Sequence, residues 1–229
     1  MVRGVKRRDY AQYCGIARAL ELVGERWALL VVRDLTVRPR RYTDLQEGLR
    51  GIPTNVLSTR LKELEQAGIV ERRVAPAPRR GVVYTLTEVG RALEPALIAL
   101  GRWGSSQLGE PQPGYVASPD GAVLNLRGAF QPSEAAGLTA SWELRLGDTV
   151  IHARLADGAL TSGLGPVEDG ADLVITARFE EGEPPAYRSF VKAAREGRVD
   201  LDGPRELFDT FLRVFTYPQA CERDLPTPR

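Results

Sequence analysis

The sequence predicts an α+β protein made of two modules: helices that close on an arginine-tipped hairpin, then a sheet that carries helices. Three observations point there. Apolar residues recur at helical spacing as far as about residue 67, then give way to two β-rich runs at 69–74 and 82–86. Strict alternation returns at 142–146, 151–155 and 172–179. Charge divides with the pattern: residues 1–110 hold 19 Lys/Arg against 12 Asp/Glu, and residues 111–229 hold 12 against 18. The break falls at Gly109-Glu-Pro-Gln-Pro-Gly-Tyr115, a linker composition, so the expected domains are 1–109 and 115–225.

Composition sets the outer limits. The chain has 229 residues, 43% hydrophobic and 27% charged, as expected of a globular protein. No apolar run reaches the length of a membrane span, and the basic start, Met1 to Arg8, lacks the apolar core of a signal peptide. A cytoplasmic protein without membrane contact is expected. Cys14 and Cys221 lie in different halves and give no disulfide framework.

The elements follow in order. Residues 11–23 read as a helix with Ile16, Ala19, Leu20 and Val23 on one side, and 26–35 as a second, buried helix. Thr43 suits the cap of a short helix over 44–49. The next helix runs from about Pro53 to Ala67. Pro53 suits its first position, and Gly68 stands where a C-cap is wanted. Leu57, Leu61 and Leu64 make one stripe, while Asn55, Thr59 and Lys62 point the other way with Ser58 beside them. The same spacing suits an ordinary amphipathic surface helix. It also suits a helix entering a major groove, because small side chains allow close approach, amides and hydroxyls meet base edges, and lysine meets phosphate.

The flanks decide between the two. The runs 69–74 and 82–86 enclose a turn-rich tip, and this hairpin bears Arg72, Arg73, Arg79 and Arg80. Two helices followed by such a hairpin make a winged helix-turn-helix, with the wing on phosphates or in the minor groove. The expected DNA-facing set is Thr43, Thr54, Asn55, Ser58, Thr59, Arg60, Lys62, Arg72, Arg79 and Arg80. Thr87 then caps a long helix with Leu93, Leu97, Leu100 and Trp103 at helical spacing, perturbed early by Pro95. The apolar residues of the first helix and of this one offer a dimer interface. A two-fold dimer meets half-sites about one helical turn, roughly 10 bp, apart.

In the second half, Gly147-Asp148 and Asp157-Gly158 are turns between alternating strands. Residues 187–196 read as a helix, 198–201 as a short strand, and 205–215 as a final helix with Leu207, Phe208, Phe211, Leu212 and Phe215.

Two resemblances add to this. Cys14, Gly24-Glu-Arg-Trp27, Leu35, Arg41-Tyr-Thr-Asp-Leu45, Gly51-Ile52, Leu57-Ser-Thr-Arg-Leu-Lys-Glu-Leu64, Gly68-Ile-Val70, Tyr84-Thr-Leu-Thr-Glu-Val-Gly90 and Trp103-Gly104 occur in order. Residues 14–104 therefore resemble the HxlR type of winged-helix regulator, which implies a dimer that binds double-stranded operator DNA. Ala171-Asp-Leu-Val-Ile-Thr176 and Gly197-Arg-Val-Asp-Leu-Asp-Gly203, followed by an apolar helix, resemble the sterol-carrier-protein type of domain. That implies an apolar cavity. Trp142, Leu144, Phe179, Phe190, Leu207, Phe208, Phe211 and Phe215 are its expected ligand-facing residues, with plain core packing as the alternative.

Catalytic and metal signatures do not occur. His152 is the only histidine, no His/Cys cluster or glycine-rich phosphate loop is present, and no acid/base pair is set by spacing, so no enzyme, metal or cofactor is expected. Cys14 lies at a helix start after Lys6-Arg-Arg8, where a thiol pKa falls. The HxlR resemblance implies an oxidant or electrophile sensor at such a cysteine in some members; burial at a dimer interface is the other reading. The expected function is a transcriptional regulator, more a repressor than an activator, with a small apolar ligand at the second domain. The alternatives are a redox regulator acting through Cys14 and a lipid carrier with an interaction module.

Overall fold

A computed structural model of the chain describes residues 9–75, 81–109 and 115–216. It divides into two compact units, 1–97 and 98–229.

In the first unit, α1 (Gly15–Val23), α2 (Ala28–Val37), α3 (Tyr42–Gly48) and α4 (Thr54–Gln66) precede the antiparallel pair β1 (Val70–Ala75) and β2 (Gly81–Leu86), then the one-turn helix α5 (Glu88–Arg91). The core is apolar: Val31, Val32 and Leu35 of α2, Leu45 of α3, Leu57, Leu61 and Leu64 of α4, and Val70 and Leu86 of the hairpin are all buried. Helix α2 lies against α3, α4 and β2, and so holds the two helices of the motif on the hairpin.

Several boundaries differ from the sequence reading, each for a local reason. Helix α1 starts at Gly15, because Ala11 sits in a left-handed conformation and Cys14 is extended. Thr43 lies inside α3. The residue before the helix is Arg41, whose backbone N–H donates to the Asp44 carboxylate at 3.0 Å. Pro53 stays extended, one residue outside α4. Thr87 caps as expected: its hydroxyl accepts from the Gly90 N–H at 3.1 Å and donates to the Gly68 carbonyl at 2.6 Å. The long helix after it is broken at Ala92–Leu93 and restarts as α6 (Glu94–Ser106), with Pro95 in the first turn, where its missing N–H costs nothing. Gly90 is required for another reason, since a Cβ there would stand 2.2 Å from the Ile69 carbonyl oxygen.

The second unit continues from α6 through α7 (Pro119–Ala129), α8 (Pro132–Ala135), β3 (Ala140–Leu146), β4 (Thr149–Ala156), β5 (Ala159–Leu164), β6 (Leu173–Ala177), α9 (Tyr187–Arg195), β7 (Val199–Asp202) and α10 (Arg205–Val214). The sheet runs β5-β4-β3-β6-β7, antiparallel except for the parallel β3–β6 pair. Leu144, Leu146, Ile151, Ala153, Leu155, Leu173 and Ile175 alternate onto one buried face with period 2. On the other face, His152 meets the Gly165 carbonyl through Nδ1 at 3.0 Å.

The expected ligand-facing residues largely meet one another. Trp142, Leu144, Phe190, Phe208, Phe211 and Phe215 are buried, and only Phe179 and Leu207 are part-exposed. Phe211 sits at the centre, with ring centroids 4.8 Å from Phe215, 5.8 Å from Phe190 and 6.0 Å from Trp142. The two contacts with Trp142 and Phe190 are edge-to-face, the arrangement that the ring quadrupoles favour. The Trp142 indole N–H donates to the Leu207 carbonyl at 2.9 Å, which fastens α10 to the sheet.

Candidate nucleic-acid interface

The surface centres on α4. Its C-terminus is fixed by a Schellman closure: the Ile69 N–H reaches the Leu64 carbonyl at 2.9 Å, and the Gly68 N–H reaches the Glu65 carbonyl at 3.0 Å. Gly68 takes φ +69°, a conformation that suits glycine, and buried Ile69 closes over Leu64. This turn leads directly into β1, so α4 and the hairpin are set by one junction. With Leu57, Leu61 and Leu64 inward, Thr54, Asn55, Ser58, Thr59 and Lys62 are all exposed along the opposite face.

The hydroxyls of Ser58 and Thr59 have defined partners. The Tyr42 hydroxyl donates to the Thr54 carbonyl at 2.8 Å and lies 3.2 Å from Ser58 Oγ. Thr59 Oγ1 donates to the Asn55 carbonyl one turn back, at 2.8 Å. Tyr42 was not among the expected site residues. It joins α3 to α4 across 12 and 16 positions of sequence, a relation that no periodicity in either helix signals.

Arg60 is placed differently from its neighbours. It pairs with Glu63 and, at 3.5 Å, with Glu25, and its side chain is only 15% exposed. The step of one residue beyond Thr59 turns it toward the segment between α1 and α2, where Glu25 stands. Thr43 is exposed on α3.

On the hairpin, Arg72 is exposed and stands opposite Tyr84, its guanidinium 5.8 Å from the ring centroid. Arg73 pairs with Glu71 at 2.5 Å. Arg40 adds a short third strand, exchanging backbone bonds of 3.0 and 2.7 Å with Tyr84. The Arg41 guanidinium lies beside Gly81, where the second strand begins. Arg79 and Arg80 lie outside the described residues, as do Lys6, Arg7, Arg8 and Cys221.

Cys14 is exposed at the N-terminus of α1. The backbone N–H groups of Ala17 and, less, Ile16 in the first turn favour the thiolate and hold the thiol below its ordinary pKa, without a capping hydrogen bond to the sulfur. Arg18, one turn on, is engaged with Glu21 at 2.9 Å. Among the described residues no group of three His, Cys, Asp or Glu side chains is placed to hold a metal ion, and no helix is long and apolar enough to cross a membrane.

Residues 22–112 match the HxlR-like helix-turn-helix family. An HTH-type transcriptional regulator of Mycobacterium tuberculosis is 41% identical over 112 residues, which are 49% of this chain; the chain spans 65% of that relative's length. The HTH-type transcriptional regulator YodB of Bacillus subtilis is 41% identical over 93 residues, 41% of this chain and 82% of YodB. The structure of reduced YodB aligns at 38% identity over 44% of this chain and 99% of that one, with a TM-score of 0.37.

Proposed function

The chain belongs to the HxlR-like helix-turn-helix family, and from that premise we propose that it is a DNA-binding transcriptional regulator, a homodimeric repressor that inserts α4 into the major groove. The observation that supports this best is the division of α4 into a fully buried leucine stripe and an exposed row of Thr54, Asn55, Ser58, Thr59 and Lys62. Such a helix, followed at once by a basic hairpin, is the arrangement in which base edges and phosphates are met together. Fluorescence anisotropy with the chain's own upstream DNA and with random duplex tests it. Specific binding supports the reading, and absence of binding to either duplex refutes it.

The wing contributes phosphate contacts in this reading. Arg79→Ala with Arg80→Ala is expected to weaken binding to all sequences and to flatten the salt dependence by about one to two counterions. An unchanged salt slope in a titration of anisotropy against salt would remove the two arginines from the interface.

The dimer rests on apolar surface. Tyr13, Ile16 and Leu20 of the α1 region are exposed, at 113%, 74% and 47%, and Leu100 and Trp103 of α6 are exposed as well. In the second unit, the sterol-carrier-like reading places a small apolar ligand between sheet and helices. Because Phe211 and Phe215 already pack on Trp142, entry requires α10 to lift from β3.

A second reading is favoured by the exposed, acidified thiol of Cys14: a regulator whose DNA affinity responds to thiol oxidation. Cys14→Ser is expected to keep operator binding in reducing buffer and to lose any response to diamide. With the folded pKa below the ordinary value, the thiolate forms at lower pH, so the alkylation rate lost in Cys14→Ser reaches half its plateau below the pH of a free cysteine. A wild-type affinity indifferent to diamide rules this reading out.

A further inference from the structure

The hydrogen bonds on α4 determine which partner its hydroxyls can take. A serine or threonine hydroxyl has one proton to give and lone pairs to receive with. The Tyr42 proton is committed to the Thr54 carbonyl at 2.8 Å, which can only accept. The 3.2 Å contact between Tyr42 Oη and Ser58 Oγ therefore has Ser58 as its donor. The proton of Thr59 is likewise committed to the Asn55 carbonyl at 2.8 Å. The hydroxyls of Ser58 and Thr59 have each given their only proton inward, and toward solvent each offers lone pairs alone. Turning either round forfeits a bond that the structure already makes.

Resting on the reading of α4 as the groove-reading helix, we infer that Ser58 and Thr59 act as acceptor-only readers, selecting exocyclic amino groups in the major groove, and that Tyr42 is the residue that sets this polarity at Ser58. The groups of that kind are adenine N6 and cytosine N4; guanine and thymine present acceptors there instead. The half-site thus has adenine or cytosine on the strand that faces these two positions. Asn55 differs, because its amide carries both donors and an acceptor.

The test uses the full chain. Random-duplex affinity is measured first, and wild type, Tyr42→Phe, Ser58→Ala and Thr59→Val are then taken through selection from a randomised library. The position whose preference disappears in Ser58→Ala is the one Ser58 reads, and Thr59→Val marks the second. Base analogues at the Ser58 position separate the functional groups. Unsubstituted purine for adenine, or pyrimidin-2-one for cytosine, deletes the amino group, while 7-deazaadenine deletes the N7 acceptor only. Wild type is expected to select adenine or cytosine, to lose about fivefold on amino deletion, and to be indifferent to N7 deletion. Tyr42→Phe frees the Ser58 proton, so its dependence on the amino group falls and guanine or thymine becomes acceptable. Guanine or thymine selected by wild type overturns the inference while leaving the regulator reading intact. So does a Tyr42→Phe profile identical to wild type, or a Ser58→Ala profile that loses nothing. A wild type that binds no duplex at all overturns both.

Discussion

Phe211→Ala is expected to destabilise the second unit by about 3–5 kcal/mol, the cost of deleting a well-packed aromatic side chain and leaving a cavity. Phe211 is 1% exposed and touches three other rings, so nothing nearby can collapse into the space without moving Trp142 or Phe190. Urea denaturation of the full chain measures this as a lower midpoint. The size of the loss also decides between the two roles of the aromatic group. A fall of several kcal/mol means that Phe211 fills a core. A loss below about 1 kcal/mol means that its ring borders open space, as the wall of an apolar site does, since the penalty grows with the cavity left behind.

Asn55→Ala is expected to cost about 1–3 kcal/mol of discrimination between the selected operator and random duplex, roughly 5- to 150-fold in relative affinity. Asn55 sits in the first turn of α4, where a recognition helix meets base edges. The substitution leaves the Asn55 carbonyl in place for Thr59, so the helix loses only the amide. Competition of labelled operator by random DNA measures the effect. Equal losses on both duplexes would show that Asn55 meets phosphate or only supports the helix.

How much of this was legible in the sequence depends on the range of the cause. The leucine stripe of α4, the Gly68 closure, the Thr87 cap and the alternating strands β3, β4 and β6 all follow from residues close in sequence, and all are found. The order of helix, strand and helix over residues 187–214 is found too. Helix α7 was not anticipated, although Ser118 caps it and Pro119 opens it. Gly121, Asn125 and Gly128 weaken its intrinsic helicity, and burial of Val123, Leu124 and Leu126 in the tertiary structure sustains it. Strand β5 is short, contains Gly163, and lies at the sheet edge. Arg60 stands in the expected DNA-facing set because charge is visible in sequence and direction is not; its pairing with Glu25, 35 positions away, is a relation no local pattern signals. The polarity of Ser58 was beyond reach for the same reason, since it depends on a proton of Tyr42 from another helix.

The hydrogen bond from the Trp142 indole to α10 has an optical consequence. The chain's three tryptophans stand in three surroundings: Trp142 is fully buried, Trp27 is part-exposed, and Trp103 is 64% exposed. Acrylamide reaches the emission of buried Trp142 last, so collisional quenching separates its signal from those that share the spectrum. Release of α10 from β3 exchanges the indole's carbonyl partner for water and shifts the Trp142 emission to the red. An event confined to the second unit thereby becomes visible in the unmodified protein, without a label and without DNA.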